Sequence, residues 1–190
     1  MAAHVEGYCR MPLLRMREAG FTNARVSVGP MTLDLEPGQR KALKFATAHE
    51  ATVAALMAAG VAKPSTGSVL IGDFDPRVQS VHCKRLAGFV PHAPMSIEEA
   101  EFPRYIAYRA ALWNVDPELA AARAREILRQ LDGMHEALAY PLVGALIAAP
   151  QLLVMDRPPP AYARQIHAVT HSAALLTTHA DPAGEDAFRP

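Results

Sequence analysis

The stretch KFATAHEATVAALMAAGVAKPSTGSVLIGD (Lys44–Asp73) decides how this chain folds. Its middle, EATVAALMAAG, is a run of strong helix formers, and Gly60 stands where a helix needs a residue able to turn the chain away. Thr47 and Glu50 have the T-x-x-E spacing of a capping box, in which each side chain satisfies a backbone N–H of the other residue. The spacing predicts a helix capped by its own side chains. GSVLIGD beyond it reads as a short strand.

Upstream, ARVSVGPMTLDLEPGQRKALKF alternates apolar and polar residues, with the turn dipeptide Pro37-Gly38 between two such runs. Residues 12–45 are therefore expected to be β structure. Downstream, RLAGFVPH reads as a buried strand ending in a proline. Residues 96–139 read as helical, first SIEEAEFPRYIAYRAALWNV and then PELAAARAREILRQLDGMHEALA. Ser96 and Glu99 have a second capping-box spacing, and Pro117 suits a first helical turn. PLVGALIAA follows as an apolar helix, QLLVMD as a buried strand, YARQIHAVTHSA as a helix and ALLTTH as a last buried strand. Apolar strands separated by helices imply a parallel sheet covered on both faces. The tail ADPAGEDAFRP is expected to be loose.

Composition narrows the function. The 190 residues are 51% hydrophobic with a formal net charge of zero, enough for one self-sufficient core and against a nucleic-acid footprint. Cys9 and Cys83 form no zinc-like spacing, which favours a reducing cytoplasm. MAAHVEGYCR lacks the apolar centre of a signal peptide, and no run of about 18 apolar residues exists for direct membrane insertion.

Taken in order, these pieces resemble the ATP-binding subunit of ABC transporters over roughly residues 31–181. LEPGQRKALKF resembles the strand leading into that family's phosphate loop, and LMAAGVAKPSTGSVLIGD its helix and next strand. RLAGFVPH resembles the Q-loop strand, AAPQLLVMDRP the Walker B strand and ALLTTHADP the switch-histidine strand. The resemblance implies an α/β, P-loop NTPase-like core with a mostly parallel sheet, an N-terminal antiparallel β part and a small inserted helical subdomain. It divides the chain into a core of residues 1–92 and 141–190 and a helical subdomain of residues 93–140.

The motifs that carry chemistry depart from that family. A phosphate loop, G-x-x-x-x-G-K-[ST], uses glycine amides and a lysine on phosphate and a hydroxyl on magnesium. Counting from Pro37-Gly38, the window falls on FATAHEAT. Phe45 and Glu50 replace the glycines, Ala51 replaces the lysine, Ala48 takes the place of an inner glycine, and Thr52 alone fits. The Q-loop glutamine falls on His92, and the signature on DGMHE (Asp132–Glu136). Asp156 matches the magnesium aspartate, but the general base after it is Arg157, which cannot take a proton. His179 matches the switch histidine, only 23 positions beyond Asp156.

The resemblance with these losses implies a non-hydrolysing pseudo-ATPase without a cofactor. Such a chain would act as a binding, scaffold or regulatory partner of a membrane permease subunit or an active ATPase subunit, in the cytoplasm at the inner face of the membrane. A homodimer held without nucleotide remains open. The alternative is a divergent active subunit using ATP and magnesium through Thr52, Asp156 and His179. Three other patterns carry bland readings. His167 and His171 share a face if one helix carries both, without a third metal ligand nearby. Arg123, Arg125 and Arg129 with Glu118 and Glu126 read as a solvated helix face. Phe102, Tyr105, Tyr108 and Trp113 fit either a helix core or a docking surface.

Overall fold

The computed structural model describes residues 11–92 and 96–181. The β-rich first part divides between two sheets. Strands β1 (Leu14–Thr22), β2 (Ser27–Leu35) and β4 (Thr66–Ile71) form an antiparallel sheet in the order β2-β1-β4. Strands β3 (Arg40–Phe45), β5 (Ala87–Val90), β6 (Leu152–Asp156) and β7 (Ala174–Ala180) form a parallel sheet in the order β3-β7-β6-β5. The Pro37-Gly38 turn, with Gly38 at φ 75°, carries the chain from one sheet to the other. β6 is buried along its whole length: four apolar residues, as a central strand requires, and then Asp156. GSVLIGD, read as a short strand, is β4 and belongs to the antiparallel sheet. It pairs with β1, and its half-buried pattern suits a sheet wet on one face.

Helix α1 (Ala48–Ala58) packs between the two sheets, with Val53, Ala54, Met57 and Ala58 in one core cluster alongside Leu14, Met16, Leu35, Leu152 and Leu176. It ends at Ala59, followed by Gly60 at φ 70°. Helix α2 (Ser80–Leu86) lies in a region the sequence left blank and takes Arg85 and Leu86 from the expected strand, so β5 starts at Ala87.

A second core cluster lies under α3 (Phe102–Trp113), α4 (Pro117–Gln130), α5 (Glu136–Leu146) and α6 (Ala163–Val169). Pro117 opens α4 and Asp116 caps it through a 2.9 Å bond from the Leu119 N–H. Three helix readings need correction. The Ser96–Glu99 box does not cap a helix: a short 3-10 turn runs Glu99–Glu101 from Glu98, without a side-chain cap. The expected helix through Ala139 breaks after α4, where Gly133 takes φ 75°. α5 then runs through Pro141, joining two segments read as separate; a proline there forfeits one helical bond, offset by the burial of every residue from Ala139 to Leu146. Third, α6 stops at Val169, so His171 lies outside it, its Nδ1 3.0 Å from the Ala168 carbonyl oxygen.

Of the four aromatics, Phe102 packs on Tyr140 with ring centres 4.2 Å apart and planes tilted by 31°, and the Tyr105 ring fills the notch left by Gly144 on α5. Burial pushes the Tyr105 hydroxyl pKa up. Tyr108 points outward, 61% exposed.

Candidate functional site

The parallel strands end together, and the residues singled out by sequence collect at that end. β3 delivers Phe45, which lies opposite Ala180 of β7. Only Ala46 and Thr47 separate β3 from α1, so Ala48 already belongs to the helix. Thr47 is extended at φ −128°, ψ 155°, and its Oγ1 accepts the Glu50 N–H at 3.2 Å. The Glu50 carboxylate accepts the Thr47 N–H at 3.1 Å, completing the capping box anticipated from the sequence. The Ala51 N–H donates to the Thr47 carbonyl at 3.1 Å. Ala51 itself is wholly buried.

Asp156 closes β6 and is 3% exposed. A buried carboxylate needs donors on its oxygens, and three converge. Thr52 Oγ1 donates to Oδ2 at 2.7 Å, while Thr178 Oγ1 and Arg157 Nε donate to Oδ1 at 3.2 and 3.3 Å. The Arg157 cation forms an ion pair there with its side chain mostly buried. Its backbone sits at φ 47°, a costly conformation for a residue with a Cβ. Two contacts steady it: its N–H donates to the Thr178 carbonyl at 3.0 Å, and its carbonyl oxygen lies 3.1 Å from His92 Nδ1. Thr52, His92, Asp156 and Arg157 thus form one connected group.

Thr178 was not singled out by sequence. Only the fold shows it, fully buried on β7 and opposite Asp156 in register. His179 stands apart from the group. It lies opposite Lys44 on β3, with Nε2 3.0 Å from Thr177 Oγ1. Burial first, and the Lys44 cation second, hold its imidazole below the usual histidine range. The Asp132–Met134 segment is a turn before α5, and His135 caps that helix by accepting the Ala137 N–H on Nδ1 at 3.2 Å.

A cavity of about 160 Å³ opens beside the group, between His92, His135, Arg157 and Tyr162. It is smaller than the few hundred Å³ of typical small-molecule sites. A wider cleft of about 490 Å³ lies away from this group, bordered by α4 and the residues entering β6 and β7. Its charges are already engaged: Arg123 donates to the Ile147 carbonyl at 2.8 Å, and Glu126 accepts from Arg129 and Gln130. No group of three or more metal-ligating side chains occurs among the described residues, nor is any helix there long and apolar enough to cross a membrane.

No protein-family model matches the sequence, and no curated protein matches it. Solved structures do match the fold. An ATP-binding subunit of an ABC transporter superposes with a TM-score of 0.73 at 16% identity, covering 90% of this chain and 80% of that one. CbiO1 from Clostridium perfringens, part of the ABC transporter complex CbiONQ, superposes with a TM-score of 0.68 at 13% identity, covering 90% and 79%. The chain therefore has the α/β, P-loop NTPase-like fold of ABC ATP-binding subunits, as the sequence resemblance implied. Likeness of fold leaves activity to the site.

Proposed function

We propose that this chain is an ABC ATP-binding-subunit-like protein without a working nucleotide site, acting as a binding or scaffold partner of a transporter. One observation carries the reading. The α1 N-terminus, where a phosphate loop would present free amides, is closed by Thr47 and Glu50 on each other's N–H groups. Glu50 adds a negative charge there, and the two-residue link between β3 and α1 leaves no loop to wrap a phosphate.

The residues present do not fit ATP and magnesium. The hydroxyl and carboxylate that would face a metal, Thr52 and Asp156, are present side by side, but the Arg157 cation is paired with that carboxylate. Arg157 in place of a general base also leaves a water without a proton acceptor at that position. The direct test is calorimetry with ATP and magnesium on the whole chain: no heat of binding at micromolar nucleotide is expected, and saturable binding overturns the reading. The Thr52–Asp156 pair is the observation favouring a divergent active subunit. Magnesium-dependent phosphate release, lost in Asp156→Ala, is that reading's signature.

The partner we propose is a permease subunit or an active ATPase subunit, reached from the cytoplasm at the inner face of the membrane. A cleft of about 190 Å³ between α2, α3 and α5 supports docking: Lys84, Arg85, Arg109 and Trp113 line it, with exposed Val61 at its rim. Val81 on α2 and Leu112 on α3 are also exposed. Recovery of a polytopic membrane protein with the tagged chain, lost in Leu112→Glu, is the expected result.

A further inference from the structure

Three of the positions at which the chain departs from the ABC motifs border one cavity. His92 stands at the Q-loop position, His135 lies in the signature window and Arg157 takes the place of the general base. All three line the space of about 160 Å³ beside Asp156. Its floor is apolar, with Val90, Met155 and Pro158 buried there. Its rim is polar, with His92 and His135 exposed and Tyr162 half-buried. Apolar walls with a few convergent polar groups are the makeup of a small-molecule site.

The hydrogen bonds fix what each polar group can offer. His92 Nδ1 lies 3.1 Å from the Arg157 carbonyl oxygen, which can only accept, so Nδ1 carries the proton. The neutral ring then has a lone pair at Nε2. His135 is the reverse. Its Nδ1 accepts the Ala137 N–H at 3.2 Å, so its proton is on Nε2. The Tyr162 oxygen accepts the His135 N–H at 3.4 Å and keeps its own proton to donate.

The set is arranged in advance. His135 caps α5, Tyr162 is tied to its backbone, and His92 is tied to the carbonyl of Arg157. Arg157 itself sits at φ 47°, a costly conformation of the kind that clusters at functional sites. Groups already held in position lower the cost of binding.

One acceptor and two donors select the visitor. A metal ion needs lone pairs, whereas His135 has a proton on the nitrogen it has to spare. A carboxylate brings only acceptors to the lone pair of His92. A neutral amide satisfies all three groups. Its N–H donates to His92 Nε2, and its carbonyl oxygen, with two lone pairs, accepts from His135 Nε2 and Tyr162 Oη. The volume equals roughly five waters, room for one ring.

We propose that this cavity binds a small neutral one-ring molecule bearing an amide, either a carboxamide or a lactam. The site uses neither α1 nor Thr52, so it is independent of whether the nucleotide site is closed.

The test titrates benzamide into the whole chain at about pH 8, where imidazoles are neutral, and follows backbone amides by NMR. Saturable shifts are expected at Ala137 and Arg157, whose main-chain groups hold the two histidines. The expected dissociation constant is about 1 mM, as befits so small a ligand. N,N-dimethylbenzamide, which lacks the N–H, and benzoate, which replaces it by an oxygen, are each expected to bind about tenfold more weakly. Tyr162→Phe and His135→Asn, the second keeping a side-chain cap on α5, should each weaken benzamide by about fivefold. Equal binding of benzoate or of N,N-dimethylbenzamide overturns the proposal. So do shifts centred elsewhere in the chain, or none at about 20 mM benzamide, far above the expected dissociation constant. The ligand comparisons on the unaltered chain need no variant to fold.

Discussion

The turn after β3 and the turn after β6 lie at the same end of one sheet, and they are closed by different physics. The first is closed locally: Thr47 and Glu50, three positions apart, satisfy each other at the start of α1. The second is closed by distant partners, since Asp156 draws on Thr52, 104 positions away, and on Thr178, 22 positions away. The local closure is only partly buried and contributes modestly. The distant closure holds a carboxylate almost entirely out of water, where losing a partner is expensive. In this molecule, then, the capped helix start and the buried carboxylate are neighbours with separate origins.

Four measurements break or sharpen that contrast. Arg157→Ala strands the buried Asp156 charge and is expected to cost about 3 kcal/mol in urea unfolding; alanine keeps the Cβ, so the positive φ offers no relief. A cost near zero would show that the two hydroxyls alone satisfy the carboxylate. Thr52→Val keeps the shape and removes the shortest bond to Asp156, for an expected loss of about 2 kcal/mol. Its double-mutant cycle with Arg157→Ala should show coupling, because both act on one carboxylate. Thr47→Ala removes the cap and should cost about 1 kcal/mol. Additivity of Thr47→Ala with Arg157→Ala would confirm that the two closures are separate; coupling above about 0.5 kcal/mol would join them.

The smallest effect concerns pH. His179 has a folded-state pKa below its unfolded value, so its neutral form is favoured by folding. Its contribution is fully present above the unfolded pKa and falls as pH drops from there toward the folded value, because the unfolded chain takes up the proton first. A stability profile across that acidic range should therefore be slightly flatter in His179→Gln. An unchanged slope would mean that His179 is not responsible.

The same division between local and distant governs what the sequence revealed. The Thr47–Glu50 cap, the Pro37-Gly38 turn, the Gly60 stop and the buried β6 were legible because each rests on a few adjacent residues or on one repeat of apolar residues. The placement of β4 beside β1, the break at Gly133 and the burial of Thr178 were not, because each depends on which segment arrives from elsewhere. Asp156 and Arg157 were legible as residues, but not as an ion pair. In RLAGFVPH the apolar run set the strand boundary too early: Arg85 and Leu86 are good helix formers, and they end α2.

The unbroken passage of α5 through Pro141 bears on how this molecule moves. From its His135 cap to Leu146 the rod is continuous, and it is gripped by Phe102 and Tyr105 of the α3 region on Tyr140 and Gly144. A swing of the helical layer pivoting at residue 140 would have to melt the middle of that rod. The break in the helical layer lies earlier, at Gly133, which is open to solvent between the buried Leu131 and Met134. Through Phe102 and Tyr105, the α3 region leans on a helix that has no break from Glu136 to Leu146.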